Sequence, residues 1–218
     1  MDDCCGVPGA DGYEAMFSAK FARDLARRYR RKGLTRTEQR IVDFLDGTGI
    51  AGATVLEVGG GIGVIQLELL AHGASHAVNL ELSSAYEPEA AALTARAGVT
   101  DKVTRIVGVD LAQRPDAVER ADVVVLNRVV CCYPAFDALL SAAAGRARRT
   151  IVFSHPPRWW LTRLLAASEN LVYRVTGRTY RAFVHSPEAM VAVIRRQGLV
   201  PVLRSRGAVW CVVGASRP

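Results

Sequence analysis

The run Val55-Leu56-Glu57-Val58-Gly59-Gly60-Gly61-Ile62-Gly63 constrains the fold more than any other part of the chain. An apolar strand-forming stretch leads into closely spaced glycines, and Ile65, Leu69 and Leu70 then recur at helical spacing. Glycines at such a junction permit a tight turn and let backbone N–H groups approach a ligand where a side chain would collide. Short apolar runs follow at Ala77–Leu80, Val103–Val107, Val123–Leu126 and Thr150–Ser154, separated by helical segments. With Thr54–Val58 they predict a mostly parallel sheet covered by helices on both faces. Two more runs, Leu199–Arg204 and Val209–Gly214, are joined only by Ser205 to Ala208. So short a connection requires antiparallel pairing, because a parallel return needs a crossover of a dozen or more residues. The expected fold is α/β: a seven-stranded, mostly parallel, Rossmann-like sheet ending in an antiparallel C-terminal hairpin.

The 218 residues suit a single domain, since a core of this size buries roughly 70% of the surface of the unfolded chain. Gly6, Pro8, Gly9 and Gly12 interrupt regular structure, so residues 1–12 read as a flexible leader. Phe17, Phe21 and Leu25 then predict a helix from Glu14 to Lys32, stopped by Gly33. A second helix, Thr35 to Leu45, opens with the capping pattern Thr35-x-x-Glu38. Residues 13–46 thus form an N-terminal helical lid, and 53–218 form the core, with an insert at about 156–184. The acidic start Met1-Asp2-Asp3 lacks a signal peptide's basic and apolar regions, and no run approaches the ~20 apolar residues of a membrane span, which argues for a cytoplasmic protein. Five cysteines, four of them in the adjacent pairs Cys4-Cys5 and Cys131-Cys132, argue against a disulfide framework. The net charge of +7 is concentrated around Arg27, Arg28, Arg30, Arg31, Lys32 and Arg36. With Tyr29 as its single aromatic residue and no interleaved aromatic platform, this segment reads as a solvated helix face before it reads as a nucleic-acid patch.

A nicotinamide-binding loop, Gly-x-Gly-x-x-Gly, also follows a first strand and opens a helix. Here the glycines run Gly59-x-Gly61-x-Gly63, with Glu57 two positions ahead, and the loop resembles the signature of class I S-adenosylmethionine-dependent methyltransferases. The resemblance implies S-adenosyl-L-methionine as cofactor and S-adenosyl-L-homocysteine as product, with Glu57 near the methionine end. Glu81, closing the second strand, is placed to accept hydrogen bonds from the ribose hydroxyls, as an acid does in both nucleotide-binding families. Asp110, in Gly108-Val109-Asp110-Leu111, matches the acid that contacts the adenine amino group. Ligands in open α/β sheets sit at the carboxyl ends of strands, so the segment Asn127-Arg128-Val129-Val130-Cys131-Cys132-Tyr133-Pro134 belongs beside the transferring methyl group, Asn127 on the cofactor side and Arg128 on the substrate side.

Methyl transfer is an in-line displacement, so the protein has to align the acceptor and, where needed, take its proton; no metal is required. His155, in Phe153-Ser154-His155-Pro156-Pro157, and Tyr133 are the candidate proton acceptors, His155 preferred for its pKa near neutrality. Trp159 and Trp160 in the insert, with Phe17 and Phe21, suit a lid over an apolar or aromatic acceptor. Within the superfamily the chain distantly resembles magnesium-protoporphyrin IX methyltransferases, through its basic N-terminal helix, the apolar run closing in Tyr133-Pro134, and the long insert before His185-Ser186-Pro187-Glu188. Those enzymes carry a histidine where this chain has Cys132, which counts against porphyrin carboxyl methylation. The favoured function is O-methylation of a small, largely apolar acceptor. An RNA methyltransferase using the arginine-rich helix, a porphyrin-type carboxyl methyltransferase and a non-catalytic cofactor-binding module are the alternatives. Membrane-surface contact through Arg158, Trp159, Trp160 and Arg163 is a further alternative.

Overall fold

The glycine run has the local structure its sequence calls for. In the computed structural model, which describes residues 12, 13 and 16–218, Thr54–Val58 forms strand β1 and Val64–Ala71 forms a helix, with Gly63 as its N-cap. The rest of the proposed leader, residues 1–11, and the start of the helix expected from Glu14 lie outside the described residues. The first complete helix, α1, is Ala19–Lys32. The Ser18 hydroxyl accepts from the Phe21 N–H, so a capped start stands where the apolar spacing had suggested a helix already under way. Gly33 closes it, its N–H donating to the Tyr29 carbonyl. Helix α2, Arg36–Gly47, carries the complete capping box expected of Thr35 and Glu38.

After β1 and α3 (Val64–Ala71) come β2 (His76–Glu81), α4 (Glu87–Ala97), β3 (Val103–Val107), β4 (Ala121–Leu126), α5 (Phe136–Arg146), β5 (Ala147–His155), α6 (Trp160–Val175), α7 (Pro187–Arg196), β6 (Val200–Ser205) and β7 (Cys211–Ser216). The seven strands form one sheet in the order β3-β2-β1-β4-β5-β7-β6. Neighbours from β3 to β5 are parallel, while β7 runs antiparallel between β5 and β6. The last strand falls two residues later than its apolar pattern suggests. Val209 is exposed in the connection, and Gly214 lies deep in β7, opposite Val152 and against the Phe44 ring, where a Cβ would collide.

Each face of the sheet buries its own layer. Leu56, Val124, Leu126, Ile151 and Phe153 meet Leu140 of α5 and Met190 and Ile194 of α7. On the other face Val55, Val123 and Val152 meet Ile41 and Leu45 of α2 and Ile65 and Leu69 of α3. The strand order reverses between β1 and β4, and such a reversal leaves a crevice at the carboxyl ends of the strands.

Candidate active site

At that reversal a cavity opens, lined from below by strand ends and from above by α1. The sheet contributes Glu57 and Gly59–Gly61 after β1, Glu81 at the end of β2, Asp110 after β3, and Asn127, Arg128, Cys132 and Tyr133 after β4. Tyr13, Phe17, Phe21 and Tyr29 close the other side.

The glycine loop is held by the charged groups around it. Gly61 has φ +56, and its N–H donates to Glu81 Oε2 at 2.8 Å. The other Glu81 oxygen accepts from the Ser83 N–H at 3.0 Å. Arg105 donates to the Gly61 carbonyl at 3.0 Å and is itself fixed by Glu87 at 2.7 Å. Burial pushes the Glu81 carboxyl above its ordinary value, opposed by these backbone donors. Beneath the loop, fully buried Glu57 accepts from the Gln66 N–H at 3.3 Å, and Asn79 donates to the Gln66 side chain at 3.0 Å. Burial raises the Glu57 pKa to about 8, while that Gln66 bond and Arg105 pull the other way. Gln66 Nε2 and Asn79 Oδ1 remain buried without a partner among the described residues, leaving hydrogen-bonding capacity below the loop. Gly60 must lack a side chain, since a Cβ would come within 2.3 Å of Asn79 Nδ2 and 2.8 Å of Glu57 Cδ.

Asp110 accepts from the Ala112 N–H at 2.9 Å and from the Tyr133 hydroxyl at 2.8 Å. Burial and this bond push Tyr133 above an ordinary phenol, so at neutral pH it remains protonated and acts as a donor. Asn127 accepts from the Ser154 hydroxyl at 2.8 Å, and that hydroxyl in turn accepts from the Arg128 N–H at 2.8 Å. Arg128 adopts φ +61 and lays its guanidinium over Trp210, 5.2 Å from the ring centroid.

The structure brings together Glu57, Gly59, Gly61, Glu81, Asp110, Asn127, Arg128, Tyr133, Phe17 and Phe21. Gly63 lies just behind the lining, at φ +77, as the N-cap of α3. His155 is not brought to the cavity. It is buried at the end of β5, with Nδ1 2.9 Å from the Pro156 carbonyl, and burial lowers its pKa. Trp159 and Trp160 also stay away from it, 54% and 76% exposed, because α6 turns their side of the insert outward.

Two lining groups, Tyr86 and Tyr13, were not singled out from sequence. Tyr86 packs beside Gly61 and Tyr13 donates to the Cys132 carbonyl at 2.9 Å, while behind the lining the Tyr180 hydroxyl donates to Cys132 Sγ at 2.9 Å. The Cys131 thiol, 3.7 Å away, and Tyr180 hold the Cys132 thiol below its ordinary value against the opposing effect of burial. These contacts span 119 and 48 residues of chain, which no local pattern reports.

No family model and no curated relative matches the chain. Solved structures do match it. A magnesium protoporphyrin IX methyltransferase from Synechocystis, solved with S-adenosylhomocysteine bound, superposes with a TM-score of 0.71 at 18% identity, covering 94% of this chain and all of that one. An O-methyltransferase family protein from Burkholderia thailandensis matches with a TM-score of 0.71 at 19% identity, over 94% of this chain and 62% of that one. An O-methyltransferase family 2 protein from Planctomyces limnophilus, in complex with apigenin, matches at 0.66 and 18% identity, over 92% and 62%. With its strand order, its antiparallel final pair and these likenesses, the chain has the class I methyltransferase fold.

Proposed function

We propose that the protein is an S-adenosylmethionine-dependent methyltransferase acting on a small, largely apolar acceptor, with oxygen as the favoured methylated atom. The observation that carries this reading is the convergence of Glu57, the Gly59–Gly61 backbone, Glu81 and Asp110 on one cavity at the strand reversal. The residues fit the cofactor chemically. Glu81 offers carboxylate oxygens to a ribose diol, Asp110 offers an acceptor to an adenine amino group, and the buried Glu57 carboxyl beside unpaired amide atoms suits the polar methionine end. When bound, the sulfonium supplies an activated methyl group.

The chain's own part is to position and enclose. Phe17, Phe21 and Tyr13 offer ring faces to the acceptor, with the Tyr13 and Phe17 rings stacked at 6.3 Å. These apolar walls exclude water from the reacting centre. With His155 outside the cavity and Tyr133 protonated, neither suits removal of an acceptor proton. Cys132 is the better candidate, because the residue lines the cavity and Cys131 and Tyr180 hold its thiol below the ordinary value. It stands where the magnesium-protoporphyrin enzymes carry histidine, and a thiolate base suits a hydroxyl acidic enough to give up its proton to it, such as a phenol, over an aliphatic alcohol.

Calorimetric titration with S-adenosylmethionine, S-adenosylhomocysteine and NADH tests the reading. Both sulfur nucleosides are expected to bind and NADH not to, with the affinity falling about 100-fold or more in Glu81→Ala as two charge-assisted hydrogen bonds are lost. Binding of NADH alone would overturn it.

A further inference from the structure

We propose that the outward face of α6 docks the protein onto an anionic membrane surface. Trp160, Leu161, Leu164, Leu165, Leu171 and Val175 are all exposed, Val175 to 78%. At 3.6 residues per turn they fall on one stripe along the helix, away from Tyr173 and Asn170. Those two hold the helix to the protein: Tyr173 packs on Tyr13 and Tyr180, and the Asn170 amide both donates to and accepts from Ala182 at 2.8 Å. The one polar residue within the stripe, Ser168, donates to the Leu165 carbonyl at 2.8 Å, so its hydroxyl does not require water. A run of large apolar side chains left on the surface of a folded chain marks a partner surface.

Charge selects the partner. Arg163 and Arg174 lie three turns apart on one flank of the stripe, and neither forms an ion pair among the described residues. The helix's only acid, Glu169, is taken by the Tyr173 hydroxyl. In an antiparallel self-pairing across a two-fold axis, the arginine flank would meet its own copy and be repelled. Against anionic headgroups the same flank is attracted, the leucines enter the acyl boundary, and the adjacent Trp159 and Trp160 sit at the depth that indole rings prefer. A 16-residue helix is about 24 Å long. No helix among the described residues is long and apolar enough to cross a membrane, so α6 lies on the surface instead of spanning it. The inference does not depend on the methyltransferase reading.

The test is co-sedimentation of the full chain with vesicles of neutral phosphatidylcholine, or of phosphatidylcholine mixed with phosphatidylglycerol, alongside sedimentation equilibrium without lipid. A monomer that binds the anionic vesicles about tenfold or more tightly than the neutral ones is expected. Arg163→Gln with Arg174→Gln is expected to weaken that binding about 25-fold at low salt, roughly fivefold for each arginine. Leu164→Glu with Leu171→Glu should abolish it while leaving the far-ultraviolet circular dichroism unchanged, because both side chains are exposed. Failure to bind anionic vesicles, or binding that survives the leucine substitutions, overturns the proposal. A wild-type dimer that the leucine substitutions convert to monomer also overturns it and makes the face a self-interface.

Discussion

Glu57 shows how one residue serves two ends. Its position two residues before Gly59 is read directly from sequence, whereas its environment, fully buried beside Gln66 and Asn79, exists only once β1, α3 and β2 have packed. With its pKa raised from 4.5 to about 8, the folded protein keeps a proton that the unfolded chain releases. The resulting stabilisation is fully present below pH 4.5, declines as pH rises through that window, and is lost above about 8. The melting temperature of the wild type is therefore expected to fall more between pH 5 and pH 8 than that of Glu57→Gln, measured by thermal unfolding in matched buffers. Equal slopes would mean that Glu57 is already ionised throughout. At Gly60 the constraint is steric, because the Asn79 and Glu57 ends that a Cβ would strike are themselves buried. Gly60→Ala is expected to destabilise by about 1–3 kcal/mol through overpacking, seen as a melting temperature several degrees lower with the sheet signal in circular dichroism retained.

Among the elements, α2 follows most directly from its sequence. Thr35 accepts from the Glu38 N–H at 3.3 Å while Glu38 reaches back to the Thr35 N–H at 2.6 Å and also pairs with Arg28 at 3.2 Å. Removing the hydroxyl in Thr35→Ala should cost about 1 kcal/mol, and chemical denaturation should show a lower midpoint with an unchanged slope. The helix of the insert was less legible. Its amphipathic spacing is present in the sequence, but the same spacing describes a helix laid on a sheet, a lid, or a helix that presents its apolar face outward. Only the anchoring of Tyr173 and Asn170 decides among these, and of their partners Tyr180 and Ala182 lie beyond the turn that follows α6 while Tyr13 lies far before it in the chain. The final hairpin was displaced for a related reason. β7 is inserted between two strands, so its limits follow from pairing with Ile151 to Phe153 and with Leu203, and not from its own apolar run.

At the scale of the whole molecule, α1 connects the N-terminal segment to the strand ends. Phe21, Leu25, Arg28 and Tyr29 line the cavity from α1, the Ser83 hydroxyl donates to the Phe17 carbonyl at 3.1 Å, and Tyr29 donates to Glu68 of α3 at 2.7 Å. If this helix closes over the cofactor, S-adenosylhomocysteine should slow amide hydrogen exchange in α1, in residues 57–63 and in residues 81–86, leaving β6 unchanged. Protection confined to the strand ends would show that α1 is a fixed wall and not a lid.

The sequence by itself determined the strands, the glycine turn and the acids at the strand ends, because alternating apolar runs, glycines and caps act on the backbone within a few residues. Tertiary structure alone decided which side chains meet. His155 closes central strand β5 and Cys132 follows central strand β4, yet burial at the end of β5 takes the histidine away from the cavity while the turn after β4 presents the cysteine to it. The orientation of a side chain beyond a strand depends on register and on what packs over it, and here the packing residues, Tyr13 and Tyr180, come from opposite ends of the chain.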